Sequence, residues 1–174
     1  MLTTDTARLL LFPAILLFPA MMAFAASSDL FTMTISNRVS LILVGGFFAL
    51  ATWSGMNPHD VLSHVGAAFV VLAVTFTFFA FGWIGGGDAK LAAATALWLG
   101  FDHLVEYLLY ASIFGGILTL VMIRFRTIPL PEVIEKQEWV KRLHKLDGGV
   151  PYGIALAASA LLIYPETIWM KFVQ

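Results

Sequence analysis

The stretch VLSHVGAAFVVLAVTFTFFAFGWIGGG, residues 61–87, decides the fold because no charged side chain interrupts it. A helix needs about 20 apolar residues to cross roughly 30 Å of hydrocarbon, and this stretch exceeds that length. Backbone polar groups inside a lipid core have to bond within their own segment, as they do in a helix. Residues 61–87 therefore predict a transmembrane helix.

Further apolar stretches on both sides predict more spans, and the larger ones are Leu9–Ser28, Val39–Gly55, Tyr107–Ile123 and Gly148–Pro165. Ala89–Phe101 is too short alone, but a helix that begins near Trp83 has 19 residues, about 28 Å at 1.5 Å per residue. Such a helix carries Asp88 in its first turns. We therefore predict an all-α, polytopic membrane protein of about six transmembrane helices, forming a single domain over residues 1–174.

The composition agrees with a membrane protein. Apolar residues make up 60% of the chain and charged residues 12%, against about 25% charged in soluble domains. A net charge of −1 argues against a nucleic-acid partner, which favours a basic surface. The chain has no cysteine, which excludes disulfides, thiol nucleophiles and cysteine-ligated metal sites, and we expect no cofactor.

Lysine and arginine predict the orientation, because they concentrate on the inner side of membrane proteins. With the N-terminus outside, the outer segments hold only Arg8 and Lys171. The inner segments hold the other eight, namely Arg38, Lys90, Arg124, Arg126, Lys136, Lys141, Arg142 and Lys145. Both termini are therefore expected to face outward.

The largest polar segment, residues 124–149, falls on the inner side. After two prolines it has the pattern of an amphipathic helix, with Val133, Val140 and Leu143 at helical spacing. Two oppositely charged pairs at i,i+4 spacing support this helix, Glu132 with Lys136 and Glu138 with Arg142. We interpret it as an interfacial helix that lies on the bilayer.

The first apolar stretch also resembles a signal peptide, since Leu9–Met22 is followed by Ala23-Phe24-Ala25, an A-x-A cleavage pattern. However, Asp5 and the single Arg8 make a poor positive region before it. We therefore expect the mature protein to begin at or near Met1, because cleavage would leave Asp29 beside a new terminus.

Four aspartates lie at or near predicted helix ends. In this topology Asp29 and Asp88 lie at the inner face, whereas Asp60 and Asp102 lie at the outer face. Two carboxylates on the same side of a helical bundle can approach one another, and two on opposite sides cannot. The pair to consider is therefore Asp29 and Asp88.

Three consecutive glycines, Gly85, Gly86 and Gly87, precede Asp88. Glycine costs about 1 kcal/mol in a helix interior relative to alanine, but it permits close backbone approach. An acid at membrane depth costs roughly 2.5–3.5 kcal/mol, so it is a functional candidate. A glycine-rich turn whose aspartate caps a helix explains the same spacing.

These residues resemble a known family. Gly85-Gly86-Gly87-Asp88 fits the GxGD motif of membrane aspartic peptidases, and Asp29 followed by Ile35-Ser36-Asn37 resembles the other aspartate of type IV prepilin peptidases. Lys90 and Val150-Pro151-Tyr152-Gly153 are also similar to that family. The closest match is its short form, which is associated with tight-adherence (Flp-type) pili.

The resemblance implies that Asp29 and Asp88 are the catalytic residues of an aspartic endopeptidase in the bacterial inner membrane, acting at its cytoplasmic face. Its substrate would be a pilin precursor with a short basic leader, cut just after a glycine, and its further partners the pilus assembly machinery. Two carboxyls in one site share a proton, so the ionised one activates water and the protonated one polarises the scissile carbonyl. Which aspartate plays which part stays open.

The chain departs from the family in two ways. Ser36 stands where the family usually has proline, which predicts a looser turn. Larger members carry a cytoplasmic domain with a Cys-x-x-Cys zinc site, often linked to N-methylation of the pilin. Since this sequence has neither, the resemblance does not extend to methyltransferase activity.

Two other functions fit part of the pattern. Asp29 and Asp88 could form the relay of a small proton-coupled transporter, although the chain shows no repeated halves. A non-catalytic pilus assembly subunit is the third interpretation.

A metal site was also considered. Asp102, His103 and Glu106 offer a crude ligand set, but no further ligand is visible in the sequence. We interpret this cluster as the polar start of a helix at the interface, and we expect no metal.

Overall fold

The computed structural model describes residues 15–131, 134 and 136–171, and every regular element within them is helical, as the sequence predicts. The elements are α1 (Leu17–Thr32), α2 (Asn37–Ser54), α3 (Pro58–Ala80), α4 (Gly86–Arg126), α5 (Glu138–His144), α6 (Gly153–Ile163), a 3-10 turn at Tyr164–Glu166, and α7 (Ile168–Lys171). Several predictions concern positions outside the described residues, namely those on Met1, Arg8, Glu132, Val133 and Gln174.

Gly100 divides α4 into two arms. Its backbone angles, φ +68° and ψ −176°, are far from helical and are open to glycine. A straight helix would separate Asp88 from Thr119 by about 46 Å at 1.5 Å per residue. Both residues nevertheless line one cavity, so the second arm (residues 101–126) folds back beside the first (residues 86–99).

The break at Gly100 leaves helix carbonyls without their usual i+4 partners. The carbonyl of Leu97 accepts a hydrogen bond from Nδ1 of His64 at 2.8 Å. The carbonyl of Trp98 accepts one from the indole N–H of Trp169 at 2.7 Å. The ring N–H groups of two buried side chains therefore donate hydrogen bonds to carbonyl groups at the turn between the two arms.

The first arm of α4 is the centre of the molecule. All residues from 91 to 100 are buried, and their sequence LAAATALWLG is rich in small side chains that let neighbouring helices approach closely. Helices α2, α3 and α6 pack against α4. On the outside, by contrast, many large apolar side chains are exposed, among them Leu62, Phe69, Val105 and Leu120. This inside-out distribution suits a lipid environment.

By length and composition, helices α3 and α4 are long and apolar enough to cross a membrane. The shorter apolar helices are Leu17–Thr32 and Gly153–Glu166. The count of six spans stays a prediction. The expected helix start near Trp83 is wrong, because Gly82 adopts a left-handed conformation (φ +74°) after α3 and the next helix begins at Gly86.

The polar segment between α4 and α6 contains a shorter helix than predicted. Helix α5 covers only seven residues, since the residue before it is extended (φ −82°, ψ 112°). Val140 and Leu143 are buried, as the amphipathic pattern indicates. The predicted ion pair between Glu138 and Arg142 does not form within the part of the chain that is described, because the guanidinium of Arg142 bonds elsewhere.

Candidate active site

Asp29 lies near the end of α1 and is only 5% exposed. Its Oδ2 accepts a hydrogen bond from the backbone N–H of Gly153 at 2.7 Å. Gly153 is the first residue of α6, so the carboxylate caps the positive end of that helix. A Cβ atom at position 153 would lie 2.8 Å from Oδ2, which explains why glycine stands there.

Asp88 is the third residue of α4, after the capping residue Gly85. A carboxylate at this position reaches back toward the residue that precedes the helix, as in a capping box. Oδ2 of Asp88 accordingly lies over Gly85, where a Cβ atom would approach it to 2.9 Å. The aspartate therefore both caps its helix and presents a carboxyl group beside the preceding irregular segment.

Ile35 links the two aspartates. A Cβ atom on Gly87 would lie 3.1 Å from Cβ of Ile35, and one on Gly153 would lie 2.7 Å from its Cδ1. The first turns of α4 and α6 thus pack directly on one isoleucine. Asp88 directly follows Gly87, and Asp29 bonds to Gly153, so both aspartates lie beside this shared contact.

Hydroxyl groups hold the turn between α1 and α2. Oγ of Ser28 donates to the carbonyl of Thr34 at 2.9 Å, and Oγ1 of Thr32 donates to the carbonyl of Ser28 at 2.7 Å. Ser36 caps α2, with its Oγ accepting from the N–H of Arg38 at 3.3 Å. The Ser36 hydroxyl thus supplies a helix cap that the ring of proline could not, and the looser turn expected from this substitution stays a prediction.

A cavity of about 600 Å³ opens beside Asp88. Two irregular backbone segments, residues 82–85 and residues 149–150, line it together with Thr119 and Tyr152. Within the described residues, the backbone N–H groups of Ile84, Gly149 and Val150 have no acceptor, whereas that of Gly85 faces the carboxylate of Asp88. The cavity therefore offers a carboxyl group and free backbone donors to whatever occupies it.

The predicted motif around Pro151 is also at this cavity. The ring of Tyr152 covers Gly115 in the second arm of α4 so closely that a Cβ atom there would collide with the phenol, whereas Gly116 faces open space. Pro151 is buried next to it. On the other side of Asp88, Nζ of Lys90 donates to Oδ1 of Asn37 at 2.8 Å and joins α4 to α2.

Two arginines at this end, Arg126 and Arg142, make long-range contacts that the sequence does not predict. Arg126 donates from Nε to the carbonyl of Leu143 at 2.9 Å and from Nη2 to that of Gly149 at 2.6 Å. Arg142 donates to the carbonyl of Phe31 at 2.8 Å. They tie the polar segment to the ends of α4 and α1. Because the partners lie 17 to 111 residues away, no local spacing indicates these contacts.

The other two aspartates lie elsewhere. Asp60 and Asp102 line a separate cavity of about 230 Å³ near Gly100, at the far end of the first arm of α4 from Asp88. His103 and Glu106 approach Glu166 there, whereas Asp102 is not part of that group. Glu166 could not be assigned to this group from the sequence, because it lies 60 residues from Glu106.

More than half of the chain matches a known protein family. Residues 16–120 match the Type IV leader peptidase family, over a range that includes Asp29 and Asp88 and ends before Pro151. No curated protein and no solved structure matches the chain. Since the matched range covers more than half of the sequence, the chain belongs to the type IV leader peptidase family, and it is a membrane peptidase.

Proposed function

We propose that the chain is an aspartic endopeptidase that removes the leader peptide from Flp-type pilin precursors, with Asp29 and Asp88 as its catalytic pair. One observation carries the proposal: the two aspartates are 59 residues apart in sequence, yet the helix starts that position them, at Gly87 and Gly153, pack on the same residue, Ile35, next to a cavity that Asp88 lines. A relay for protons would call for carboxyls spaced along a path through the membrane, and these two lie at one end of the bundle.

The chemistry needs one ionised and one protonated carboxyl. The ionised aspartate takes a proton from water, and the oxygen of that water forms a bond to the scissile carbonyl carbon. The protonated aspartate donates its proton toward the carbonyl oxygen. When the tetrahedral intermediate collapses, the C–N bond breaks and the amine leaves with a proton from the pair.

The cavity suits an extended peptide. The unpaired N–H groups of Ile84, Gly149 and Val150 are donors of the kind that bind a peptide backbone, as a sheet edge does. Asp88 lines the same cavity, and the buried Asp29 bonds to the backbone of Gly153, next to the lining residue Tyr152. We infer that the stretch around the scissile bond lies extended across this cavity and that cleavage follows a glycine, as the family resemblance implies.

The proposal places this end of the bundle at the cytoplasmic face of the inner membrane. Basic residues gather there, among them Lys90, Arg126 and Arg142. In intact cells, cysteines introduced singly into this cysteine-free chain should respond to a membrane-impermeant thiol reagent accordingly. Lys141→Cys should be protected and Glu166→Cys labelled. Labelling of Lys141→Cys from outside would contradict this orientation.

The activity itself is tested with purified protein in liposomes and a Flp-type pilin precursor. Mass spectrometry of the products should show one cut, on the C-terminal side of a glycine at the end of the leader. Thiol alkylation and chelators should leave cleavage unchanged while the protein stays folded, because neither cysteine nor metal takes part in the proposed chemistry. An intact precursor after prolonged incubation would favour a transporter or a non-catalytic assembly subunit.

A further inference from the structure

A second polar cluster lies at the other end of the bundle, near Gly100. His103 and Glu106 begin the second arm of α4, and Glu166 belongs to the 3-10 turn after α6. One donor atom of each lies within 4.8 Å of the others, and Nδ1 of His103 is 3.9 Å from Oε2 of Glu106. Imidazole nitrogen and carboxylate oxygen are both ligands that zinc accepts.

His64 supplies an independent indication of a ligand. It is 9% exposed and lines the 230 Å³ cavity together with His103 and Glu166. A carbonyl only accepts hydrogen bonds, so the 2.8 Å contact with Leu97 places the proton on Nδ1 of His64 and a lone pair on Nε2. Nε2 has no partner in the described part of the chain.

Gly100 makes room for the ring of His64. A Cβ atom at position 100 would lie over that ring, 2.9 Å from Nε2 and 3.0 and 3.2 Å from the two carbon atoms beside it. Glycine at this position therefore lets the buried imidazole lie against the turn while it lines the polar cavity. A buried histidine whose Nδ1–H is fixed by a carbonyl is the arrangement seen in metal-binding histidines.

The charge of this region also favours a cation. Asp60, Asp102, Glu106 and Glu166 gather at this end, and none of their carboxylates lies within 4 Å of a lysine or arginine nitrogen of residues 15–131 and 136–170. Acidic side chains next to a membrane attract cations.

We propose that this cluster binds a divalent transition-metal ion, Zn²⁺ or one of similar preference for nitrogen and oxygen ligands. His103, Glu106 and Glu166 bind the ion directly, and Nε2 of His64 bonds to a water molecule that occupies the open coordination position in the cavity. The ion clamps the second arm of α4 to the turn after α6. The inference rests on this cluster and not on the proposed peptidase chemistry, since Gly100 is about 18 Å along the helix from Asp88.

The test uses the full chain, purified in detergent and stripped of metal. Equilibrium dialysis should find one Zn²⁺ per chain, Co²⁺ should give the visible absorption of a low-symmetry site, and Zn²⁺ should raise the thermal midpoint by about 3 °C or more. His103→Gln and Glu166→Gln should each weaken binding at least about tenfold. His59→Gln is the matched control, because this histidine lies on the same end of the bundle with its side chain 88% exposed, and it should bind as the parent does.

Failure of the metal site is distinguishable from failure of the peptidase. If the parent binds less than about a tenth of an equivalent, or if His103→Gln and Glu166→Gln bind as the parent does, the metal inference is wrong, whatever the cleavage assay shows. Glu106→Gln gives a third, conservative removal of a ligand should either variant fail to fold. Cleavage of precursor by the stripped protein is expected in every case.

Discussion

Replacement of Gly87 or Gly153 by alanine is expected to lower the rate of precursor cleavage about a hundredfold or more. At Gly87 the new Cβ would meet Ile35 at 3.1 Å from a side-chain atom and 3.3 Å from its carbonyl oxygen, and backbone cannot yield cheaply. At Gly153 it would lie 2.8 Å from Oδ2 of Asp29 and displace the carboxylate. A misplacement of about 1 Å in an active site can cost this much.

Gly116→Ala is the matched control for these substitutions. Gly116 also lies in a helix, but a Cβ atom there meets nothing within 4 Å. Alanine is intrinsically better than glycine in a helix by about 1 kcal/mol, so any loss in the other two variants comes from the collision and not from helix propensity. The measurement is the initial rate of precursor cleavage by the three variants and the parent, at equal amounts of folded protein. Full activity in Gly87→Ala and Gly153→Ala would contradict the packing of both helices on Ile35.

Much of the helical architecture could be predicted from the sequence, because the length and composition of an apolar stretch indicate whether it forms a membrane-spanning helix. The described helices fall within or beside the predicted stretches. The sequence does not predict that α4 folds back at Gly100 without a separate loop. Nothing in the residues around position 100 distinguishes a turn between two helices from a sharp kink within one helix. Helix ends were also displaced where glycine acts, as at Gly82.

The candidate site shows the same division. Asp29 and Asp88 were paired because both belong to one side of a bundle, an argument that uses only span order. The role of Ile35 depends on how α4 and α6 cross, and the role of Arg126 depends on a partner 23 residues away. Glu166 was missed for that reason too. Such contacts are tertiary, and the spacing of apolar and polar residues along the chain does not predict them.

Asp29→Asn and Asp88→Asn are each expected to reduce cleavage at least about a thousandfold while the protein still accumulates in the membrane. Asparagine has nearly the same shape as aspartate, but it can neither take a proton from water nor donate one to the substrate. The double variant should be about as inactive as either single variant, because one missing member already disables the pair.

Because Asp29 also caps α6, the residue that replaces it determines whether the variant tests the carboxyl group alone or the helix cap as well. The side-chain oxygen of asparagine still accepts from the N–H of Gly153, so Asp29→Asn keeps the start of α6 in place. Loss of activity in this variant therefore reports the carboxyl chemistry, whereas Asp29→Ala would remove cap and carboxyl together. Asp60→Asn and Asp102→Asn, which line the cavity near Gly100, serve as controls and should cleave within a few-fold of the parent.

The most direct test of the proposed catalytic pair is conversion of a Flp-type precursor by purified Asp29→Asn in liposomes, beside the parent and Asp60→Asn. The products are followed by mass spectrometry over equal times. The account predicts a leader-free pilin with the parent and with Asp60→Asn, and an intact precursor with Asp29→Asn. Normal conversion by Asp29→Asn would contradict the pair, because Asp29 would then be a helix cap and Asp88 would need another partner.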